Sequence, residues 1–173
     1  MGDLYFERPV NYPVSDPYGS RGGTHYGIDY AAPKGSSVRA SERGVVVRAA
    51  ENPKGPDRPR AYGNVIVIYH NPEKLDLSEK KKRHIYTLYA HLDWMSVRAG
   101  DIVKKGATIG ASGNTGMSTR PHLHFEVIVA GSELGWSSST GAMGVPGGSE
   151  DRGYRKDPEG YFGRRTSVEG ALP

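Results

Sequence analysis

The sequence predicts an all-β fold built mainly of antiparallel strands, with little helix. Three observations predict it. There are 24 glycines and 12 prolines in 173 residues, a load that favours short strands and tight turns. Apolar runs rich in β-branched and aromatic residues recur, as in "GVVVRAA", "NVIVIYH", "HIYTLYAHL" and "HLHFEVIV". No segment reads as a helix beyond a single turn near "DWMS". The length fits one domain with a proper core.

Each element follows in order. Residues 1–23 form a loop-rich N-terminal segment around "YPVSDPYGSRGG", and residues 24–163 are read as a single domain. "THYGIDYAAPKG" is a short strand, because Gly27 within it and Pro33 after it oppose a helix. "SSVRA" and "GVVVRAA" read as two strands around a turn, and "ENPKGPDRPRAYG" as a loop. "NVIVIYH" and "HIYTLYAHL" are buried strands separated by the charged excursion "NPEKLDLSEKKKRH". "GDIVKKGATIG" reads as a strand pair turning at Lys104, Lys105 and Gly106. "SGNTGMSTRP" is a glycine-rich loop ahead of the strand "HLHFEVIV". Residues 131–153 are expected to be a long mobile loop, "RKDPEGYF" to dock back, and residues 164–173 to be a flexible tail.

Composition excludes several function classes. No apolar stretch approaches the ~18 residues of a membrane helix. The start "MGDLYFERPV" lacks the basic and apolar regions of a signal peptide, so none is expected in this chain. There is no cysteine, which excludes disulfides and thiolate metal sites. A net charge of +4 is mildly basic, and the dense run "KKKR" reads as part of a solvated excursion. Nucleic acid is therefore not expected as a partner. "SGNTG" lacks the Gly-Lys-Ser/Thr ending of a phosphate-binding loop, and there is no His-Glu-x-x-His of helix-borne zinc proteases.

The six histidines carry the chemistry. In "RPHLHFEV", strand alternation puts His122 and His124 on one face and Leu123 and Phe125 on the other. His25 and Asp29 in "HYGID" share a face of an extended chain, with Gly27 leaving room between them. His25, Asp29 and one histidine of the pair give two nitrogens and one carboxylate oxygen. That is the three-ligand pattern of a catalytic rather than a structural zinc. The ion would keep a charge of about +1 and remain a Lewis acid. The other histidine of the pair, with His91 at the end of "LYAHL", would move protons or steady an oxyanion. Glu126 shares the face of the histidine pair and reads equally as a support for it or as a structural residue. His70 and His84 flank the charged excursion and read as exposed loop histidines.

These motifs resemble the lysostaphin-type (LytM-like) zinc endopeptidases, which hydrolyse peptidoglycan. The resemblance runs from "YGSRGGTHYGIDYAAPKGSSVRASERGVVV" to "GNTGMSTRPHLHFEV" and covers most of the chain up to about residue 129. It implies an antiparallel scaffold whose sheet floors a groove walled by loops. It implies one Zn2+ on His25, Asp29 and His124, with His91 and His122 catalytic beside it. It further implies a peptidoglycan stem peptide or cross-bridge as substrate. The place of action would be the periplasm, cell wall or medium, or phage lysis, and the chain is expected to be a monomer. Arg120 stands where relatives usually carry glycine, and Arg120 and Arg21 are candidate groove residues. Two other readings are kept. One is a wall-binding or activator module without turnover, which residues 1–23 would favour by lying across the site with Asn11 or Asp16 as a fourth ligand. The other is a zinc D,D-carboxypeptidase.

Overall fold

A computed structural model describes residues 6–51, 62–70, 84–131, 133–137, 142–144 and 155–163. Among the described residues the strands are β1 (Val14–Asp16), β2 (Ile28–Tyr30), β3 (Ser37–Arg39), β4 (Gly44–Ala50), β5 (Asn64–His70) and β6 (His84–Met95), then β7 (Ile102–Val103), β8 (Thr108–Ser112), β9 (Leu123–Ala130), β10 (Gly135–Ser137), β11 (Ala142–Gly144) and β12 (Arg155–Lys156). Short helical turns at Ser20–Gly23 and Pro158–Gly160 complete the described structure. The all-β expectation holds. One sheet runs β1-β2-β9-β6-β5-β4-β7, with β12 paired to β9 and β8 lying between β3 and β6. All its pairings are antiparallel.

The long central strands are apolar on both sides because both faces are covered. Ile66, Ile68, Ile85, Tyr89, Leu123, Phe125 and Val127 pack on one face. Val65, Val67, Tyr86, Leu88, Ala90 and Ile128 pack on the other with Tyr62 and Leu134. Successive residues alternate between these two layers, as a pleated strand requires. His124 and Glu126 belong to the second face, at the β2 side of β9.

Several local expectations differ from the structure. β3 and β4 do not pair with each other: β3 pairs with β8, and β4 with β5 and β7. β7 and β8 likewise take separate partners, although Gly106 does turn the chain between them with φ 78°. In each case a short link carries the chain from one ladder to another rather than folding a hairpin. "DWM" is not helical but continues β6, held by β8 through the pairs Trp94–Ala111 and Met95–Gly110. Within 131–153, β10 and β11 pair antiparallel; residues 132, 138–141 and 145–153, most of 51–61, all of 71–83 and the expected tail 164–173 lie outside the described residues.

The N-terminal segment contributes to the sheet and the core. β1 pairs with β2, and Phe6 and Val10 are buried. His70 is not exposed: it is fully buried at the end of β5, with Nδ1 2.7 Å from the Arg43 carbonyl and Nε2 2.9 Å from Thr87 Oγ1. His84 is half-buried, with Nδ1 2.8 Å from Tyr69 Oη. Both are misjudged from sequence because the strands run to the edge of the charged excursion.

Candidate metal centre

Register sets the site. In the β2–β9 ladder Asp29 stands directly opposite His124. Their side chains meet on one face, with Asp29 Oδ1 2.8 Å from His124 Nδ1. His25 lies just ahead of β2, and its Nε2 is 3.1 Å from Asp29 Oδ1 and 3.3 Å from His124 Nδ1. Gly27 makes this approach possible. A Cβ there would collide with the Phe125 carbonyl and lie 2.9 Å from His124 Cε1.

Outer hydrogen bonds determine what each group presents inward. His25 Nδ1–H donates to the Pro17 carbonyl at 2.8 Å, so Nε2 faces inward with its lone pair. His124 Nε2–H donates to Glu126 Oε1 at 2.9 Å, so Nδ1 is the nitrogen turned inward. Asp29 Oδ2 accepts from Arg21 Nη2 at 2.7 Å and leaves Oδ1 to the centre. Three buried ligand atoms thus face one another within 4.8 Å. Such a set draws in positive charge: a proton on His124 Nδ1 donated to Asp29 Oδ1, or a metal ion in its place. The separations match the roughly 3.3 Å edge of a tetrahedron with 2.0–2.1 Å bonds, as zinc takes with nitrogen and oxygen.

Electrostatics point the same way. Burial opposes charge on His124, yet its hydrogen bonds to Asp29 and Glu126 push its pKa up to about 9. Burial would raise the Asp29 carboxyl, but the hydrogen bonds from His124 and His25 hold it well below the carboxylate range. The centre favours positive charge at the point where the three atoms meet.

His122 and His91 flank that point. Their ring centroids are 4.7 Å apart, and His91 is 6.0 Å from the His124 ring. His91 Nδ1–H donates to the Thr115 carbonyl at 2.7 Å, and His122 Nδ1–H to the Arg120 carbonyl at 2.9 Å. Each keeps Nε2 free of these anchors, and His122 Nε2 is 3.8 Å from Asp29 Oδ1. Burial, then the neighbouring His124 and His122, lower the His91 pKa to about 3, so its imidazole is neutral at pH 7.

His91 reaches the site by breaking the strand's alternation. Ala90 lies opposite His124 on the site face, so regular pleating would send His91 to the other face. Between Tyr89 and Leu92, β6 carries one more residue than β5 does between Ile66 and Asn64. His91 sits in this bulge with φ 60°, and the kink re-aims its ring.

The five candidate histidine and aspartate residues therefore meet along one cleft of about 720 Å3, lined also by Arg21, Tyr62 and Met117. Arg21 bridges Asp29 and Asp16, at 2.7 and 2.5 Å. Arg120 borders a smaller adjoining recess with Arg21 and Asp16. Among described residues only Arg21 and His91 take positive φ without being glycine, so Arg120 fits its loop without that strain. Asn11 is turned to Arg39, 3.1 Å away, and neither it nor Asp16 joins the three-atom cluster. Sequence reading missed Tyr62 and Arg155, which together surround Glu126: Tyr62 O–H donates to Oε1 at 2.6 Å and Arg155 Nε–H to Oε2 at 3.1 Å. No spacing signal marks either residue, because both come from outside the motif-bearing strands.

Known proteins resemble this chain over most of its length. The model of peptidase family M23 matches residues 23–136. The chain is 39% identical over 137 residues to the DD-carboxypeptidase/endopeptidase Mpg of Neisseria meningitidis, covering 75% of this chain and 27% of that protein. It superposes on lysostaphin from Staphylococcus simulans with a TM-score of 0.60 and 27% identity, over 94% of this chain and 55% of that one. A zinc-containing peptidase from Vibrio cholerae gives a TM-score of 0.58 and 31% identity, over 73% of this chain and 37% of that one. The chain thus spans about a quarter of the length of its curated relative Mpg. The matched residues include both histidine motifs, and the chain belongs to peptidase family M23.

Proposed function

We propose that this protein is a zinc-dependent endopeptidase that cuts peptide bonds in peptidoglycan stem peptides or cross-bridges. The observation that carries the reading is the convergence of His25 Nε2, Asp29 Oδ1 and His124 Nδ1 beside the His91 and His122 rings. Those three atoms would hold one Zn2+. When bound, zinc supplies Lewis acidity and lowers the pKa of its water toward ~7. His91 and His122, each pinned through Nδ1, present Nε2 to the cleft. One takes the proton from the attacking water, and the other steadies the developing oxyanion or returns a proton to the leaving amine. Arg21 and Arg120 line the charged end of the cleft, where a substrate carboxylate would meet a guanidinium. The zinc-containing peptidase supports the metal, and Mpg and lysostaphin support peptide-bond hydrolysis. On this reading the protein acts outside the cytoplasm or in phage lysis, as a single chain with one ion.

A second reading, D,D-carboxypeptidase action, is favoured by that same charged end, which suits a terminal carboxylate, and by the two activities in the name of Mpg. Digestion of purified walls tests both. Endopeptidase action releases cross-linked peptides with new amino termini, whereas carboxypeptidase action releases only free terminal amino acid. Sugar fragments without new amino termini would refute peptidase action altogether. His124→Ala is expected to lose zinc and activity together. His91→Ala and His122→Ala are expected to keep zinc and lose about 10²–10⁴-fold in rate. Loss of the metal from His122→Ala would overturn this division of roles.

A further inference from the structure

We propose that Arg155 is a positioning residue for the metal centre: from β12 it holds the Glu126 carboxylate against His124, and so fixes which nitrogen His124 presents to the ion. The inference rests on the zinc reading above. It concerns a residue beyond the segment matched to the family, which ends at residue 136.

Arg155 is buried to 2% exposure, although a guanidinium is rarely buried without a partner. Its Nε lies 3.1 Å from Glu126 Oε2. The other oxygen, Oε1, is 2.9 Å from His124 Nε2 and 2.6 Å from Tyr62 Oη. The carboxylate is thus clamped from two directions, with the cation on one oxygen and the imidazole on the other. Backbone pairing places the arginine there: β12 lies along β9 with Arg155 opposite Ile128 and Lys156 opposite Val127. Tyr18 O–H donates to the Arg155 carbonyl at 3.1 Å and ties the strand to the segment just before His25.

The consequence is mechanical. His124 offers Nδ1 to the centre only while Nε2–H has a fixed acceptor. Glu126 is that acceptor, and it stays in line only while Oε2 is also engaged. Removing Arg155 frees the carboxylate to rotate, and the His124 ring loses its anchor.

Zinc affinity of the full chain, read by competition with a chelating dye, tests this. Arg155→Met is expected to weaken zinc binding about 10–100-fold, and Arg155→Lys to recover most of it. In zinc-loaded protein, the His124 Nε2–H is expected to exchange slowly in wild type and Arg155→Lys, and fast in Arg155→Met. A purely structural arginine would lower stability and leave that proton unchanged. Zinc affinity equal to wild type in folded Arg155→Met overturns the inference. Where Arg155→Met does not fold, Arg155→Met in a Glu126→Gln background leaves no unpaired buried charge. It is expected to bind zinc no more weakly than Glu126→Gln, and a further tenfold loss overturns the proposal. A wild-type chain that binds no zinc would instead overturn the metal reading on which it stands.

Discussion

His91 combines a place in the candidate site with a backbone cost. Its φ of 60° belongs to a region that costs a residue with a Cβ roughly 1–2 kcal/mol. The bulge in β6 fixes that angle, and the Thr115 carbonyl fixes the ring. Glycine meets no such penalty. His91→Gly is therefore expected to be more stable than His91→Ala by about 1 kcal/mol in urea unfolding, with both variants equally inactive. An alanine variant as stable as the glycine one would remove strain from the account. At this scale the sequence indicated which residues converge: His25, Asp29, His91, His122 and His124 all reach one cleft. It did not show how His91 gets there, because a strand's alternation predicts the wrong face and the bulge depends on the β5 partner. Nor did it show that Glu126 is held on three sides, because Tyr62 and Arg155 arrive from remote segments.

Among the elements, the β2–β9 pair has the tightest tolerance. Gly27 lies so close to β9 that any Cβ would strike the Phe125 backbone, which has no side-chain freedom to yield. Gly27→Ala is expected to destabilise the fold by about 1–3 kcal/mol and to weaken zinc binding at least tenfold, since Asp29 and His124 must separate. Calorimetry and dye competition read the two effects, and unchanged zinc affinity would show that the pair tolerates the shift. Strand identity was legible along β5, β6 and β9 because their β-branched and aromatic runs have no helical spacing. Strand partners were not legible. The pattern of β3, β4, β7 and β8 states that each is half-buried, and says nothing about which neighbour hydrogen-bonds to it. His70, at the end of β5, gives a further prediction. Burial, partly offset by the Arg43 carbonyl and reinforced by the charge of Lys105, lowers its pKa to about 4. The unfolded chain takes up this proton near 6.5, while the folded protein stays neutral until about 4. Stability from this group is full above about 6.5 and falls as pH drops to 4, by up to about 3 kcal/mol. The difference between wild type and His70→Asn in urea midpoints across that window measures it, and parallel curves would exclude the titration.

The whole molecule separates two tasks. Apolar layers on both faces of the sheet hold the fold, and the candidate metal centre lies where β2, β9 and the His25 segment meet. His25 and His124 are 99 residues apart in sequence, so the three inward atoms come together only in the folded chain. An ion that binds them binds the native state and stabilises it by mass action. The two apolar layers do not depend on the ion. Chelation is therefore expected to leave a folded, inactive protein with a lower melting temperature. Returning zinc is expected to raise the melting point progressively with concentration, by the equivalent of about 4 kcal/mol when free zinc is a thousand times the dissociation constant. Circular dichroism through a chelator and zinc titration reads both halves. Complete unfolding on chelation would show that the apolar layers do not suffice, and a melting point indifferent to zinc would show that His25, Asp29 and His124 do not hold the ion.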